Sequence, residues 1–142
     1  MTDQGCDKTI LIVEDDADLR NALAEVLEDG DYKPLRAENG VAALEELRTA
    51  QQPPCVILLD VMMPIMDGRT FRAVQQRDPA LSGIPVIVLS AHADAQAAAA
   101  QMDAQGYLTK PVDLGTLMDV VERFCARPPA PAGPRPASPD RS

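Results

Sequence analysis

Carboxylate, hydroxyl and ammonium side chains follow four short apolar runs in this 142-residue sequence. Glu14 and Asp15 come directly after the first run, Asp60 follows another, Ser90 ends a third and Lys110 follows a fourth. Grouped carboxylates repel one another, and a hard cation such as Mg²⁺ relieves that repulsion by taking one or two as ligands. A hydroxyl and an ammonium can hold the oxygens of a phosphoryl group. These residue types predict metal-assisted phosphoryl transfer onto a carboxylate.

The apolar runs themselves have the character of buried parallel strands. They are short, unbroken and rich in β-branched residues, which is typical of strands covered on both faces. Three are clear and two are weaker, at residues 9–13, 55–59, 85–89, 32–37 and 107–109. Apolar stripes at helical spacing fill the gaps. The alternation predicts an α/β domain with a doubly wound, flavodoxin-like sheet of five parallel strands in the order 2-1-3-4-5.

In that strand order the first and third strands are neighbours, and ligand sites lie outside their carboxyl ends. We therefore expect Glu14 and Asp15 to meet Asp60, with Ser90 and Lys110 beside them. Asp60 is the predicted nucleophile because it stands alone at its strand end and faces the acidic pair. Each residue also has an ordinary explanation, since an acidic run often begins a solvated helix and a lone Asp often caps one.

Two segments depart from the regular pattern. Residues 91–105 are rich in Ala, with Met102 as the only large apolar side chain, so we expect a weakly anchored, mobile helix there. Residues 127–142 are rich in Pro and Ala and predict a disordered tail. The expected organisation is an N-terminal extension at residues 1–8, a single domain at 9–126, and this tail.

Composition narrows the class of partner and compartment. The 22 acidic residues outnumber 13 basic ones and give a formal charge of −9, which argues against direct binding to nucleic acid or to an anionic membrane. No apolar run approaches the roughly 18 residues that a membrane span requires. The cysteines Cys6, Cys55 and Cys125 are widely spaced, so we expect free thiols without a disulfide framework and a cytoplasmic location.

Four stretches of the sequence resemble the receiver domain of bacterial two-component response regulators. They are residues 10–16 (ILIVEDD), 59–68 (LDVMMPIMDG), 85–91 (PVIVLSA) and 106–111 (GYLTKP). The motif D-x-M-M-P-x-M-D-G is highly specific, and its spacing from K-P matches the family. The resemblance covers residues 8–126 and implies a signalling switch that is turned on by phosphorylation.

The resemblance implies that Asp60 is the phosphoacceptor. Asp15 would be a direct Mg²⁺ ligand, Glu14 would bind the ion directly or through water, and the backbone carbonyl of Met62 would complete the metal shell. Lys110 would pair with the phosphoryl oxygens. The apolar side chain of Met62 cannot hold an attacking water, so fast self-dephosphorylation is not expected. Such a domain catalyses only its own phosphorylation and dephosphorylation and is not otherwise an enzyme.

The resemblance also implies how the switch would work. Ser90 would hydrogen-bond the phosphoryl group, and Tyr107 would turn inward as Ser90 moves, altering a face built from the fourth helix, fifth strand and fifth helix. The bond between Lys110 and Pro111 is expected to be cis. His92 could change the dephosphorylation rate in either direction. The segment from Ser90 to Lys110 is shorter than the common family pattern, which puts the usual dimer face in question.

The expected phosphoryl donor is a sensor histidine kinase or a histidine phosphotransfer protein. The signal would pass to an unknown downstream protein, and a phosphorylation-dependent homodimer is a further expected assembly. One alternative is a haloacid-dehalogenase-like phosphatase with Asp16 as nucleophile, suggested by D-x-D at residues 16–18. A second is a receiver-like module that binds without phosphorylation. A flavodoxin-like cofactor binder is disfavoured because its phosphate loop needs hydroxyls and amides rather than carboxylates.

Overall fold

The computed structural model describes residues 8–91 and 94–125, and these form one sheet with helices on both faces. Strands and helices alternate along the chain as β1 (Thr9–Val13), α1 (Ala17–Asp29), β2 (Lys33–Ala37), α2 (Gly40–Thr49), β3 (Val56–Asp60), α3 (Gly68–Arg77), β4 (Val86–Ala91), α4 (Ala95–Gln101), β5 (Gly106–Lys110) and α5 (Leu114–Cys125). All strand pairs are parallel, in the order β2-β1-β3-β4-β5. The predicted fold class and strand order are confirmed.

The central strands are buried on both faces, which explains their unbroken apolar sequences. Successive residues of a strand point to opposite faces. Leu11 and Val13 therefore belong to one core cluster, with residues of α2, α3 and α4, whereas Ile10 and Ile12 belong to the other, with residues of α1 and α5. Both clusters are mainly aliphatic, with Phe71 a fully buried aromatic exception.

Capping residues fix where the helices begin near the carboxyl edge of the sheet. Asp16 is the N-cap of α1, because its side chain accepts hydrogen bonds from the backbone amides of Asp18 and Leu19. Asp67 caps α3 in the same way by accepting from the amide of Thr70. The N-cap of the first helix thus comes immediately after the acidic pair, and the N-cap of the third comes seven residues after Asp60.

Helix α4 is short but more firmly held at one end than its composition predicted. Ala95, Ala98 and Ala99 are buried, and Arg72 of α3 donates from Nε to the carbonyl oxygen of Met102 at 2.9 Å. The same guanidinium also donates to the carbonyl oxygen of Asp103. The expectation of weak anchoring was wrong for this end, because sequence periodicity does not reveal hydrogen bonds from another helix.

The cysteine prediction also needs correction. Cys55 is disulfide-bonded, so the expectation of free thiols throughout was wrong. Cysteine usage therefore no longer supports a cytoplasmic location, which stays a prediction. Cys125 is free and buried, and burial raises the pKa of its thiol to about 12. In the part of the chain that the structure describes, no helix has the length and apolar character to cross a membrane. Cys6, His92, most of the predicted extension and the predicted tail lie outside the described residues.

Candidate functional site

The carboxyl ends of β1 and β3 bring three carboxylates to one point. The two strands are parallel neighbours with Val13 opposite Leu59, so the residues that follow them lie side by side. One carboxylate oxygen from each of Glu14, Asp15 and Asp60 lies within 4.8 Å of the others. The structure therefore assembles the three acids that the sequence placed on separate strand ends.

Glu14 is fully buried and fixed through both its backbone and its side chain. Its amide donates to the carbonyl oxygen of Ala37 at 3.0 Å, which joins it to the end of β2. Its Oε2 atom accepts from the amide of Asp16 at 3.0 Å, and its carbonyl oxygen accepts from Nη1 of Arg20 at 2.7 Å. The Glu14 carboxylate thus has one preset orientation toward the site.

Lys110 reaches the acids from the end of β5. Its Nζ atom lies 2.9 Å from Oε1 of Glu14 and 3.2 Å from Oδ1 of Asp60. Burial alone would lower the pKa of Lys110, but these two carboxylates raise it above the ordinary value, so the ammonium is charged. The peptide bond that follows, Lys110–Pro111, is cis as expected.

One ammonium does not balance three carboxylates. Burial raises the pKa of Asp60, the neighbouring Glu14 raises it further, and Lys110 opposes them, which leaves the pKa at about 7. Oε1 of Glu14 is buried with no hydrogen-bond partner beyond the close approach of Lys110. A hard cation with oxygen ligands would favour the ionised form of Asp60 and would give the buried Glu14 oxygen a partner, so this donor set fits Mg²⁺.

The loop between β3 and α3 keeps the backbone of Asp60 close to the third helix. The amide of Met62 donates to Oδ1 of Asp60 at 3.3 Å, while the Met62 side chain is 77% exposed. A Cβ atom on Gly68 would collide with the carbonyl oxygen of Asp60, and the Gly68 amide donates to Val61 at 2.9 Å. The sequence reasoning did not assign a role to Gly68, although the D-G pair at the helix start was visible.

Ser90 and Tyr107 lie on the neighbouring strands but are placed differently. Asp60 of β3 is opposite Leu89 of β4, so Ser90 comes one residue beyond the level of Asp60, and it is buried. Tyr107 on β5 is 41% exposed, well before the strand end that carries Lys110. The structure brings Lys110 into the acidic cluster, places Ser90 at the end of the neighbouring strand β4, and leaves Tyr107 farther back along β5.

The carboxylate of Asp16 does not join the three clustered acids. Its oxygen accepts hydrogen bonds from the backbone amides of Asp18, at 3.0 Å, and Leu19, at 3.3 Å. This capping role gives the first Asp of the D-x-D pattern a structural function. The geometry therefore gives no support to Asp16 as the nucleophile of a phosphatase.

Comparison with known proteins agrees with this architecture. The family model described as "Response regulator receiver domain" matches residues 10–122. The DNA-binding transcriptional regulator NtrC of Escherichia coli is 38% identical over 117 residues, which are 80% of this chain and 24% of NtrC. Protein PilH of Pseudomonas aeruginosa is 35% identical over 121 residues, which are 82% of this chain and 97% of PilH.

A solved structure of similar shape gives the same result. The signal receiver domain of a signal transduction histidine kinase from Syntrophus aciditrophicus is 32% identical, with a TM-score of 0.74. The match covers 83% of this chain and 89% of that one. The chain thus spans about a quarter of the length of NtrC but nearly all of PilH and of this receiver domain.

Proposed function

The chain belongs to the response regulator receiver domain family of two-component signalling, and from this premise we propose that it is a switch turned on by Mg²⁺-dependent phosphorylation of Asp60. The observation that carries the proposal is the cluster of three carboxylates within 4.8 Å, which one ammonium only partly neutralises. Asp60 is the acceptor because it ends β3 at the centre of the sheet and its carboxylate interacts with both Glu14 and Lys110.

In this proposal Glu14, Asp15, Asp60 and the carbonyl of Met62 hold Mg²⁺. The bound ion supplies neutralisation of the charge on the transferred phosphoryl group. A carboxylate oxygen of Asp60 attacks phosphorus, the N–P bond to a donor histidine breaks, and an acyl phosphate forms while the imidazole leaves. Lys110, already charged and within 3.2 Å of Asp60, pairs with a phosphoryl oxygen.

In this proposal the donor is a sensor histidine kinase or a histidine phosphotransfer protein, in keeping with the chain's membership of the receiver domain family. The signal is passed on when Ser90 binds the phosphoryl group and Tyr107 turns inward from its partly exposed position on β5. The output is a protein contact, or a homodimer, on the face of α4, β5 and α5. Beyond its own phosphorylation and dephosphorylation the chain carries out no catalysis, and its acidic charge disfavours direct nucleic-acid binding.

The test is incubation with a small acyl phosphate or phosphoramidate and Mg²⁺, followed by the intact mass of the protein. Wild type is expected to gain one phosphoryl group, and Asp60→Asn none. Asp18→Asn is the matched control, because this exposed acid lies on the same edge outside the carboxylate cluster, and it is expected to behave as wild type.

Two outcomes would contradict the proposal. One is a phosphoryl group on Asp60→Asn at the wild-type level, and the other is labelling of wild type that chelation of Mg²⁺ does not affect. A wild-type protein that neither binds Mg²⁺ nor gains mass would favour the alternative of a module that binds its partners without phosphorylation.

A further inference from the structure

Arg20 lies in α1, shortly after the acidic pair, and its side chain contacts the backbone of the candidate metal site. Its Nη1 atom donates to the carbonyl oxygen of Glu14 at 2.7 Å. That carbonyl belongs to the peptide that joins Glu14 to Asp15, so the hydrogen bond fixes the plane of this peptide. Arg20 itself is half-buried, and its own amide donates to the carbonyl of Asp16 at 2.9 Å, which places it firmly in the helix.

The orientation of Asp15 depends on this peptide more than that of its neighbour does. Glu14 is buried and is held at its amide and at both carboxylate oxygens. Asp15 is exposed, so packing around its side chain contributes little to its direction. The backbone that leads into Asp15 therefore sets where its carboxylate points, and Arg20 bonds that backbone.

We infer that Arg20 is a positioning residue for the metal site, which keeps the Asp15 carboxylate within ligand distance of Glu14 and Asp60. This inference rests on the proposed function, because it concerns affinity for Mg²⁺. Arg20 lies outside the set of residues that would bind the ion, and it would act without contacting the ion itself. Groups that orient metal ligands commonly contribute ten- to hundred-fold to metal affinity.

Charge and position predict opposite results at Arg20, which makes the inference testable. A guanidinium beside the carboxylates repels a divalent cation, so a purely electrostatic residue would weaken Mg²⁺ binding, and its removal would strengthen it. A residue that orients a ligand would strengthen binding, and its removal would weaken it. The sign of the change in affinity distinguishes the two roles.

The experiment is calorimetric titration of the full chain with Mg²⁺. For Arg20→Met we expect the dissociation constant to rise about tenfold. Arg20→Lys keeps the charge but loses the planar guanidinium, so we expect an intermediate rise, whereas a purely electrostatic role leaves this variant equal to wild type. Arg77→Met is the matched control, because it removes an exposed guanidinium from the far end of α3, and we expect no change.

Two further measurements separate positioning from a loss of structure. Thermal unfolding without Mg²⁺ is expected to differ little between wild type and Arg20→Lys, so this variant still decides the question if Arg20→Met does not fold. Phosphorylation of Arg20→Met is expected to need more Mg²⁺ for half its maximal rate but to approach the wild-type rate at saturation. Such a shift is not expected from a general destabilisation.

An unchanged or lower Mg²⁺ dissociation constant in Arg20→Met would overturn the inference. So would a phosphorylation rate that stays below the wild-type rate at saturating Mg²⁺. A wild-type protein that binds no Mg²⁺ would instead refute the proposed function. The two failures are therefore distinguishable within the same titration.

Discussion

Two polar clusters among the described residues, each partly or wholly buried, differ in how their charge is balanced. The carboxylate cluster, formed by Glu14, Asp15, Asp60 and Lys110, lies at the carboxyl ends of the strands. The arginine cluster, formed by Arg72 and Gln75 of α3, lies between that helix, the loop before β4 and the turn after α4. In both clusters, charged or polar side chains are removed from water at a cost.

In the arginine cluster, the donors meet backbone acceptors. Arg72 Nη1 donates to Oε1 of Gln75 at 2.8 Å, and Gln75 Nε2 donates onward into the loop before β4. Four backbone carbonyls accept from these two side chains, those of Met102, Asp103, Leu81 and Ile84. Burial lowers the pKa of Arg72, but its guanidinium stays charged because that pKa starts far above neutrality.

In the carboxylate cluster the protein itself leaves the charge unbalanced. The pKa of Asp60 is raised to about 7, and a buried oxygen of Glu14 has only Lys110 close to it. The contrast teaches that burial of charge does not mark a functional site by itself. A cluster satisfied by fixed carbonyls holds the fold together, whereas a cluster with unmet negative charge is prepared for a cation or a reaction.

The largest expected effect concerns the arginine cluster. Arg72→Met should lower the free energy of unfolding by about 3 kcal/mol, because the buried carbonyl of Met102 would be left without its donor and the carbonyl of Asp103 and the side chain of Gln75 would each lose one. Urea unfolding at neutral pH measures this change. Phosphorylation of the residual folded protein should continue, since the cluster contacts none of the three acids.

Arg69→Met is the matched control for that change. Arg69 lies on the same helix and makes an exposed hydrogen bond to Gln101 at 2.8 Å, so its loss should cost less than about 0.5 kcal/mol. Equal destabilisation by the two substitutions would show that the buried arginine cluster has no special structural role.

In the carboxylate cluster, by contrast, removing a charge should raise the free energy of unfolding. Without divalent ions, Asp60→Asn should raise the free energy of unfolding by about 2 kcal/mol above pH 7, because the surroundings disfavour the ionised carboxylate. The pKa of Asp60 is raised in the folded protein, so wild-type stability falls as pH rises from about 4 to about 7. Chemical unfolding across this pH range measures the gap between the two proteins.

The gap should vanish below about pH 3, where Asp60 is protonated in both folded and unfolded wild type. A gap that is constant with pH, or an Asp60→Asn variant less stable than wild type at pH 8, would show that the charge of Asp60 is fully compensated. The carboxylate cluster would then be balanced in the same way as the arginine cluster.

The smallest effect concerns addition of the ion. Mg²⁺ at ten times its measured dissociation constant should stabilise wild type by about 1.4 kcal/mol, because it binds the folded state. Asp60→Asn should gain less, since it has lost one ligand, and Arg72→Met should gain as much as wild type. Thermal unfolding with and without Mg²⁺ checks this, and a reduced gain in Arg72→Met would mean that the two clusters are coupled.

Much of the fold and of the carboxylate cluster could be predicted from local sequence. Short β-branched runs give strands, and the residue after a strand end is fixed by chain order, so the meeting of Glu14, Asp15 and Asp60 followed from the strand order. The structural role of Arg72 could not be predicted, because its partners Met102 and Asp103 lie some thirty residues away in the sequence. Metal binding, phosphorylation and the switch roles of Ser90 and Tyr107 stay predictions.

The hydrogen bonds of Arg72 also determine how α4 could move. They hold the turn that follows the helix, whereas its N-cap residue Asp94 makes no side-chain capping hydrogen bond. The seven-residue helix therefore resembles a short lever that pivots near Met102. A displacement that begins beside Ser90 would swing the near end through the widest arc and leave the far end in place, so a partner would sense it by tilt rather than by translation.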